Sequence, residues 1–398
     1  MDASDPDMMS STGSGRSPLT RRRLIGGAAA LGIGAGGGAW IWRARSGAEG
    51  SEGNKRTLRM LCWPGYDDPE VTRAFREKHG VAIEATHIGA NDEIFTLLRA
   101  GGLGEYDVVT PHNGIVKPLA EAGLIGPLDP DLLPNAEGLF PRFRWPSWVT
   151  AKSDVYGAPF LWGTSPMVYA AGHVAKAPAA WLDIQSAKFK GRIVMTEDGL
   201  GHFLIWNAVM GHDDPTRVTI SDLNATTDLL ISIKRDRASA YVGSMNDVAR
   251  LLADGTAWVS TIGWESAPHL PGAKGADLRI THPRPGDYSF CDNLSLAKNS
   301  PNPDLAHAFI DHMLAPETQA RLMNKLMRGT VTTKAVDLLD PKVRALYSYD
   351  DLDAVFALSP LRGFPPLQDA GDGIATYVDW VKSWERVRFT ALRPLPKK

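Results

Sequence analysis

The chain has 398 residues, 43% hydrophobic and 22% charged, with 39 Gly and 28 Pro; this length exceeds one ordinary core and suits two domains or a two-lobed unit. A formal charge of -2 supplies no basic field for nucleic acid. Two cysteines, Cys62 and Cys291, exclude a disulfide framework or a cysteine-rich zinc site.

The N-terminus reads as a targeting segment. Residues 1–19 are rich in Ser, Gly and Asp without periodicity, and Thr20-Arg21-Arg22-Arg23-Leu24-Ile25 precedes an uncharged Gly/Ala-rich run from Gly26 to Trp42. A charged region before an apolar stretch of this length predicts a signal peptide rather than a core helix. The run resembles twin-arginine signals, and its modest hydrophobicity fits a membrane span less well. An N-terminal anchor is the alternative. Removal of residues 1–48, with cleavage after Ala48, leaves a mature charge of about -5.

Leu58 to Cys62 predicts a short buried strand running into a turn that carries Trp63 and Tyr66. A helix is expected straight after it, capped by Asp67 or Asp68 with Pro69 at its first position. In open α/β sheets ligands bind outside the carboxyl ends of strands, which is where Trp63 and Tyr66 fall; ordinary packing is the alternative. Val71, Ala74 and Phe75 recur at helical spacing and Gly80 stops the helix. Val81, Ile83 and Ala85 alternate as a strand, and a helix runs from about Asn91 to Gly101-Gly102. Tyr106 to Pro111 is a third strand, and Ile115 to Ala122 a further helix. This alternation predicts a doubly wound α/β lobe.

Residues 125–160 are Pro-rich and aromatic without a clear period, and Phe160 to Ser165 reads as a crossover. A second α/β set opens with a strand at Ile193 to Asp198. Helices are expected over about 202–211, 220–235 and 246–252, a strand over 257–264 and another over 290–296. Two more helices follow at 304–314 and 316–326. Two similar lobes joined by a chain that crosses more than once are what a clamshell binding protein needs.

From about residue 57 to 388 the chain resembles the periplasmic solute-binding proteins of ABC transporters, nearest the spermidine/putrescine-binding branch. The resemblance rests on Trp63-x-x-Tyr66, Tyr106-Asp107-Val108-Val109-x-Pro111, Pro159 to Gly163, Phe189 to Ile193 before Thr196-Glu197-Asp198, and Asp292-Asn293-Leu294. It implies an α/β, two-lobed type II clamshell with hinge crossovers. The expected lobes are 57–162 with 290–330, and 163–289 with 331–390. It further implies a small-molecule ligand passed to an inner-membrane ABC permease; with the N-terminal run, a periplasmic protein exported by the twin-arginine machinery and a monomer are expected.

The resemblance places Trp63 and Tyr66 at positions lining the amine site, Asp198 at an acid that neutralises an amine, and Asp292 at the acid following an aromatic, here Phe290. Gly201 stands where polyamine binders carry a second acid. Gly114 replaces an expected tyrosine, with His112 and Asn113 nearby. A ligand-facing Trp aligns near Gly263 and Trp264, and a late tyrosine is lost around Gly329-Thr330. Trp264-Glu265 is a candidate source of the missing charge.

Trp63 and Tyr66 suit an aromatic box for a cation, each contact worth about 0.5–2 kcal/mol. Asp198 serves either as a ligand acid or as a helix N-cap. Asp292 pairs with a buried cation or makes an inter-lobe hydrogen bond, since a lone desolvated carboxylate is costly. Glu265 is otherwise a surface residue, and Trp162 a hinge-packing residue. The histidines lack metal spacing, and Ser165 and Ser266 lack a nucleophile elbow. Neither cofactor, metal nor catalysis is therefore expected. The expected function is capture of a small amine-bearing solute; the rivals are an anionic ligand, such as a phosphonate or carboxylate, and a secreted enzyme.

Overall fold

The computed structural model describes residues 56–393, and the signal segment expected over residues 1–48 lies outside them. Among the described residues no helix is long and apolar enough to cross a membrane. β1 (Thr57–Cys62) pairs in parallel with β2 (Ala82–His87) on one side and β3 (Val108–Val109) on the other. The parallel pairs are joined through α1 (Arg73–His79) and α2 (Asn91–Leu97). Gly80 ends α1 at φ 62° and ψ 36°, a left-handed geometry that costs glycine little.

The first helix starts later than Asp68-Pro69 suggests. Asp68 does accept from the amides of Glu70 and Val71, at 2.9 and 3.0 Å. Its carboxylate is also held by Lys325 Nζ at 2.9 Å. Residues 69–72 stay an irregular turn tied to that lysine, and Thr72 becomes the N-terminal flank of α1. A π turn over Leu98–Gly102 extends α2 as far as the expected glycine pair.

α3 (Val116–Glu121) and β4 (Ile125–Gly126) complete this part of the chain. The aromatic segment beyond holds 3-10 turns and a small hairpin of β5 (Thr150–Ala151) and β6 (Asp154–Val155). The fully buried β7 (Ala158–Thr164) then leads into the second lobe.

The second sheet comprises β8 (Met167–Ala170), β9 (Ile193–Thr196), β10 (Ala238–Val242), β11 (Val259–Ser260) and β12 (Leu278–Thr281), in the order β10-β9-β11-β8-β12. It is accompanied by α4 (Gly199–Val209), α5 (Ile220–Asp236) and α6 (Met245–Ala253). β8, β10 and β12 were not legible as strands, because four- or five-residue runs show too little period to separate from loop.

The returning strand is β13 (Ser289–Ala297). It pairs antiparallel with β7 over Ser289 to Leu294, and with β3 and β4 over Ser295 to Ala297. The register shift between Asp292 and Asn293 lies within this long pairing, as bulges that re-aim side chains do. The first sheet therefore runs β2-β1-β3-β13-β4 with β7 beside β13. α7 (Pro303–Leu314) and α8 (Pro316–Leu326) fall where expected.

The C-terminal stretch divides between the lobes instead of joining the second one throughout. α9 (Pro341–Arg344), the 3-10 turn Tyr349–Asp351 and α10 (Leu352–Leu358) bring Val343, Tyr349 and Phe356 into the first core, where the last two pack on Trp162. α11 (Tyr377–Phe389) puts Trp380 and Val387 into the second core. The reason is Trp162, a fully buried indole that needs the rings of Tyr347, Tyr349 and Phe356 around it. Burying a large side chain of this kind is worth about 1.5–3 kcal/mol. Residues 359–376 thus form a third crossing between the lobes.

Candidate functional site

The site is built on the turn after β1 and on one face of β13. Trp63-Pro64-Gly65-Tyr66 closes through the Tyr66 amide donating to the Trp63 carbonyl at 3.2 Å, with Gly65 at φ 91°. Proline at the second position and a positive-φ glycine at the third are what a type II turn requires. The turn sets Trp63 and Tyr66 at its two ends, beyond the carboxyl end of β1. Trp63 is half-buried against the first core and its Nε1 is buried without a protein partner among the described residues. Tyr66 packs edge-on against Phe160, centroids 4.9 Å apart.

Tyr66 donates its hydroxyl to Asp292 Oδ2. Burial pushes the Asp292 carboxyl up to about 6, against the opposing pull of Tyr66 and Arg328. Because side chains alternate along extended chain, Tyr288, Phe290 and Asp292 share one face. Tyr288 reaches Asp198 Oδ2 at 3.5 Å, so this face links a second-lobe acid to a first-lobe phenol. Tyr288 joins the site by an alternation with Phe290 and Asp292 that is visible in the sequence.

Arg328 reaches the site only through the tertiary structure. Met327 ends α8 in left-handed geometry at φ 53°, and the next residue carries its guanidinium 4.0 Å from the Trp264 ring centroid and 5.7 Å from that of Phe290. Trp264 is 37% exposed. The guanidinium donates a long hydrogen bond, 3.5 Å, to Ser266 Oγ.

Glu265 is not a surface residue. It is buried, and its Oε1 accepts from both the amide and the hydroxyl of Thr164 at 2.6 Å. Burial raises its carboxyl, and the Thr164 hydrogen bonds and Arg328 oppose that rise. Oε2 has no partner among the described residues.

Asp198 takes the N-cap position of α4, accepting the Gly201 amide at 2.8 Å through Oδ1. A ligand role is left to Oδ2. Gly201 is closely surrounded: a Cβ there would lie 2.5 Å from Asp198 Oδ2 and from Ile262 Cδ1, and 2.7 Å from the Tyr288 hydroxyl, so the ends of three side chains would have to shift for a larger residue. A Cβ on Gly114 would meet the backbone of Gly363 and Phe364 at 2.8 and 2.9 Å, so the third crossing occupies that space. Gly329 lies flat on Trp162, where a Cβ would come 2.5 Å from the indole.

The remaining expected site residues, His112 and Asn113, lie against the backbone of β13 beside Asp292 and Cys291, and His112 Nε2 is buried without a partner among the described residues. Asn113 is fully engaged: its Oδ1 accepts the Cys291 amide at 3.0 Å and its Nδ2 donates to the Arg362 carbonyl at 2.7 Å. His112 is buried, accepts the Gly114 amide on Nδ1 at 3.0 Å and pairs with Asp292 only through backbone. Burial lowers its imidazole to about 4.

Cys62 and Cys291 are both free and buried. Strand pairing sets Cys62 opposite His87, and the ligand atoms of Cys62, Asp67 and His87 come within 4.8 Å of one another. His87 Nε2 lies 3.1 Å from Asp67 Oδ1. Burial, and then Asp67, pushes the Cys62 thiol well above its ordinary range, which opposes thiolate formation; the trio reads as packing around a hydrogen bond.

Two sheets joined by crossing strands, with acids and aromatic rings gathered along the joint, define a clamshell solute-binding protein. The family model for bacterial extracellular solute-binding proteins matches residues 70–347, and the chain belongs to that family. The chain is similar to the spermidine/putrescine-binding periplasmic protein of Escherichia coli (strain K12), 22% identical over 325 residues covering 81% of this chain and 87% of the relative. It is also similar to a putrescine/agmatine-binding protein of Pseudomonas aeruginosa, 24% identical over 333 residues, 77% of this chain and 87% of the relative. A solved structure titled as a putative spermidine/putrescine ABC transporter from Listeria monocytogenes superposes with TM-score 0.71. It is 22% identical, covering 85% of this chain and 100% of that one.

Proposed function

We propose that this protein captures a small amine-bearing, polyamine-like solute outside the cytoplasm and presents it to an inner-membrane ABC permease. The observation that carries this reading is the face formed by Phe290 and Asp292 of β13 and by Tyr288 just before it, which has the Asp198 carboxylate at one end and that of Asp292 at the other. A desolvated carboxylate favours a cation, and aromatic faces add cation–π attraction. The family and the polyamine-binding names of its relatives support the same class. Trp63, Tyr66, Asp198, Trp264, Phe290 and Asp292 are the proposed contacts, with Glu265 as a buried charge behind them.

The protein makes and breaks no bond in this reading; closure of the lobes around the solute does the work. The Thr20–Ile25 run supports export through the twin-arginine machinery to the periplasm. Isothermal titration calorimetry of the full chain against 1,4-diaminobutane, spermidine, alkyl amines, phosphonates and sugars tests the reading. Stoichiometric binding confined to amine-bearing compounds, weakened by Trp63→Ala and Asp198→Asn without loss of fold, is expected. Binding confined to phosphonates or sugars overturns it.

A further inference from the structure

We infer that Arg328 is a built-in substitute for the second ammonium of a diamine, so that the site takes a solute with a single amine, received by Asp198. This rests on the amine-capture reading above and narrows it: of the two acids at the ends of the aromatic face, only Asp198 is left for the solute. The guanidinium carbon of Arg328 lies 4.0 Å from the Trp264 ring centroid and 5.7 Å from that of Phe290. A second ammonium at this end would need those two rings for cation–π contact. The chain's own cation already lies against both.

The buried groups at this end answer to the same cation. Burial pushes the carboxyls of Asp292 and Glu265 up, and Arg328 is among the groups that pull both down. Burial and then Glu265 push the Tyr347 phenol up, and Arg328 opposes that through its charge and a hydrogen bond. Asp292 in β13, Glu265 after β11 and Tyr347 after α9 thus converge on one guanidinium. Asp292 spends an oxygen on the Tyr66 hydroxyl, and Glu265 spends one on the amide and hydroxyl of Thr164. A solute ammonium arriving here would meet a fixed like charge, which is how a site rejects a near relative of its ligand.

The other end offers a single acid. Asp198 Oδ1 is committed to the Gly201 amide at 2.8 Å, and Oδ2 remains, 3.5 Å from the Tyr288 hydroxyl. Gly201 adds no charge, and the neighbouring Glu197 is paired with Arg388 at 2.8 Å. One ammonium therefore suits this end. Trp264, 37% exposed, leaves ring surface for the apolar part of the solute. The substrate class that fits both ends is a primary monoamine with an apolar or aromatic body.

Calorimetry on the full chain at neutral pH with butylamine, pentylamine, 2-phenylethylamine, 1,4-diaminobutane and 1,5-diaminopentane tests the inference, with 1-pentanol as the probe lacking an amine. The wild type is expected to bind butylamine and pentylamine more tightly than the matched diamines. Arg328→Gln is expected to reverse that preference, because Asp292 and Glu265 then lack a cation. Diamine binding should gain about 10- to 100-fold, the worth of a charge-assisted hydrogen bond. Adding Asp292→Asn to Arg328→Gln is expected to remove the gain, and Arg328→Lys, which keeps a resident cation, to retain the preference for one amine. The wild-type comparison decides the matter even where the glutamine variant fails to fold. A wild type that prefers diamines, or a folded Arg328→Gln with no gain in diamine affinity, overturns this inference and leaves amine capture standing. Binding of 1-pentanol as tight as that of pentylamine, or no binding of any amine, overturns both.

Discussion

The hydroxyl of Tyr66, from the turn after β1, donates to the carboxylate of Asp292 in the crossing strand β13. This bond ties the turn after β1 in the first lobe to the strand that leads back from the second. It is also the main polar compensation for a buried acid. Removing it with Tyr66→Phe leaves the Asp292 carboxylate short of a partner. A loss of about 1–3 kcal/mol at pH 7 is expected, measured by urea unfolding. A double-mutant cycle with Asp292→Asn should show strong coupling; additive losses would mean that the two side chains do not act as a pair.

The same acid gives stability a pH dependence of defined sign. Its folded value, about 6, lies above the ordinary 3.8, so between these values the folded state retains a proton that the unfolded state has released. Its contribution is full below about pH 3.8 and is lost as pH rises through 6. The shift corresponds to about 3 kcal/mol. Unfolding titrations from pH 4 to 7 are expected to show the wild type losing stability relative to Asp292→Asn as pH rises. Parallel profiles for the two proteins would contradict the burial argument.

Gly201 limits what can be engineered into the site. Gly201→Asp, which would install the second acid of the polyamine branch, forces a Cβ to within 2.5 Å of Asp198 and Ile262. Overpacking of this kind costs about 1–3 kcal/mol, and it disturbs the amide that Asp198 caps. A lowered melting temperature with no gain in diamine affinity is expected. A stable variant that binds 1,4-diaminobutane more tightly would show that the ends of Asp198, Ile262 and Tyr288 move aside at little cost.

Both thiols are buried and unpaired. An aromatic disulfide reagent is expected to react slowly with the native protein and to titrate two thiols rapidly in guanidinium, without added reductant. Fewer than two thiols in the denatured protein would mean that Cys62 and Cys291 oxidise after export.

The tight turn, the glycine stop of α1 and the glycine pair after α2 were legible because each is a local demand on backbone geometry, met by Pro64-Gly65, Gly80 and Gly101-Gly102. The helices at Pro303 and Pro316 were legible for the same reason. Strands such as β8 and β12 were not, because their hydrogen bonds come entirely from distant chain. The start of α1 was displaced by Lys325, more than 250 residues away, taking hold of Asp68.

The same division runs through the site. The residues themselves made the aromatic turn at Trp63 and Tyr66 legible, since it is a local motif, whereas Asp198 and Asp292 were proposed from the family resemblance. Only the tertiary structure decided that Asp198 caps α4, that Asn113 is committed to holding Cys291 and Arg362 in place, and that Glu265 is buried behind Thr164. Arg328 was invisible for a physical reason: its partners Trp264 and Phe290 lie more than 35 residues earlier, and a stacked guanidinium leaves no local spacing to read. Chemistry set by backbone geometry is written locally, and charge balance across a closing cleft is settled only by the fold.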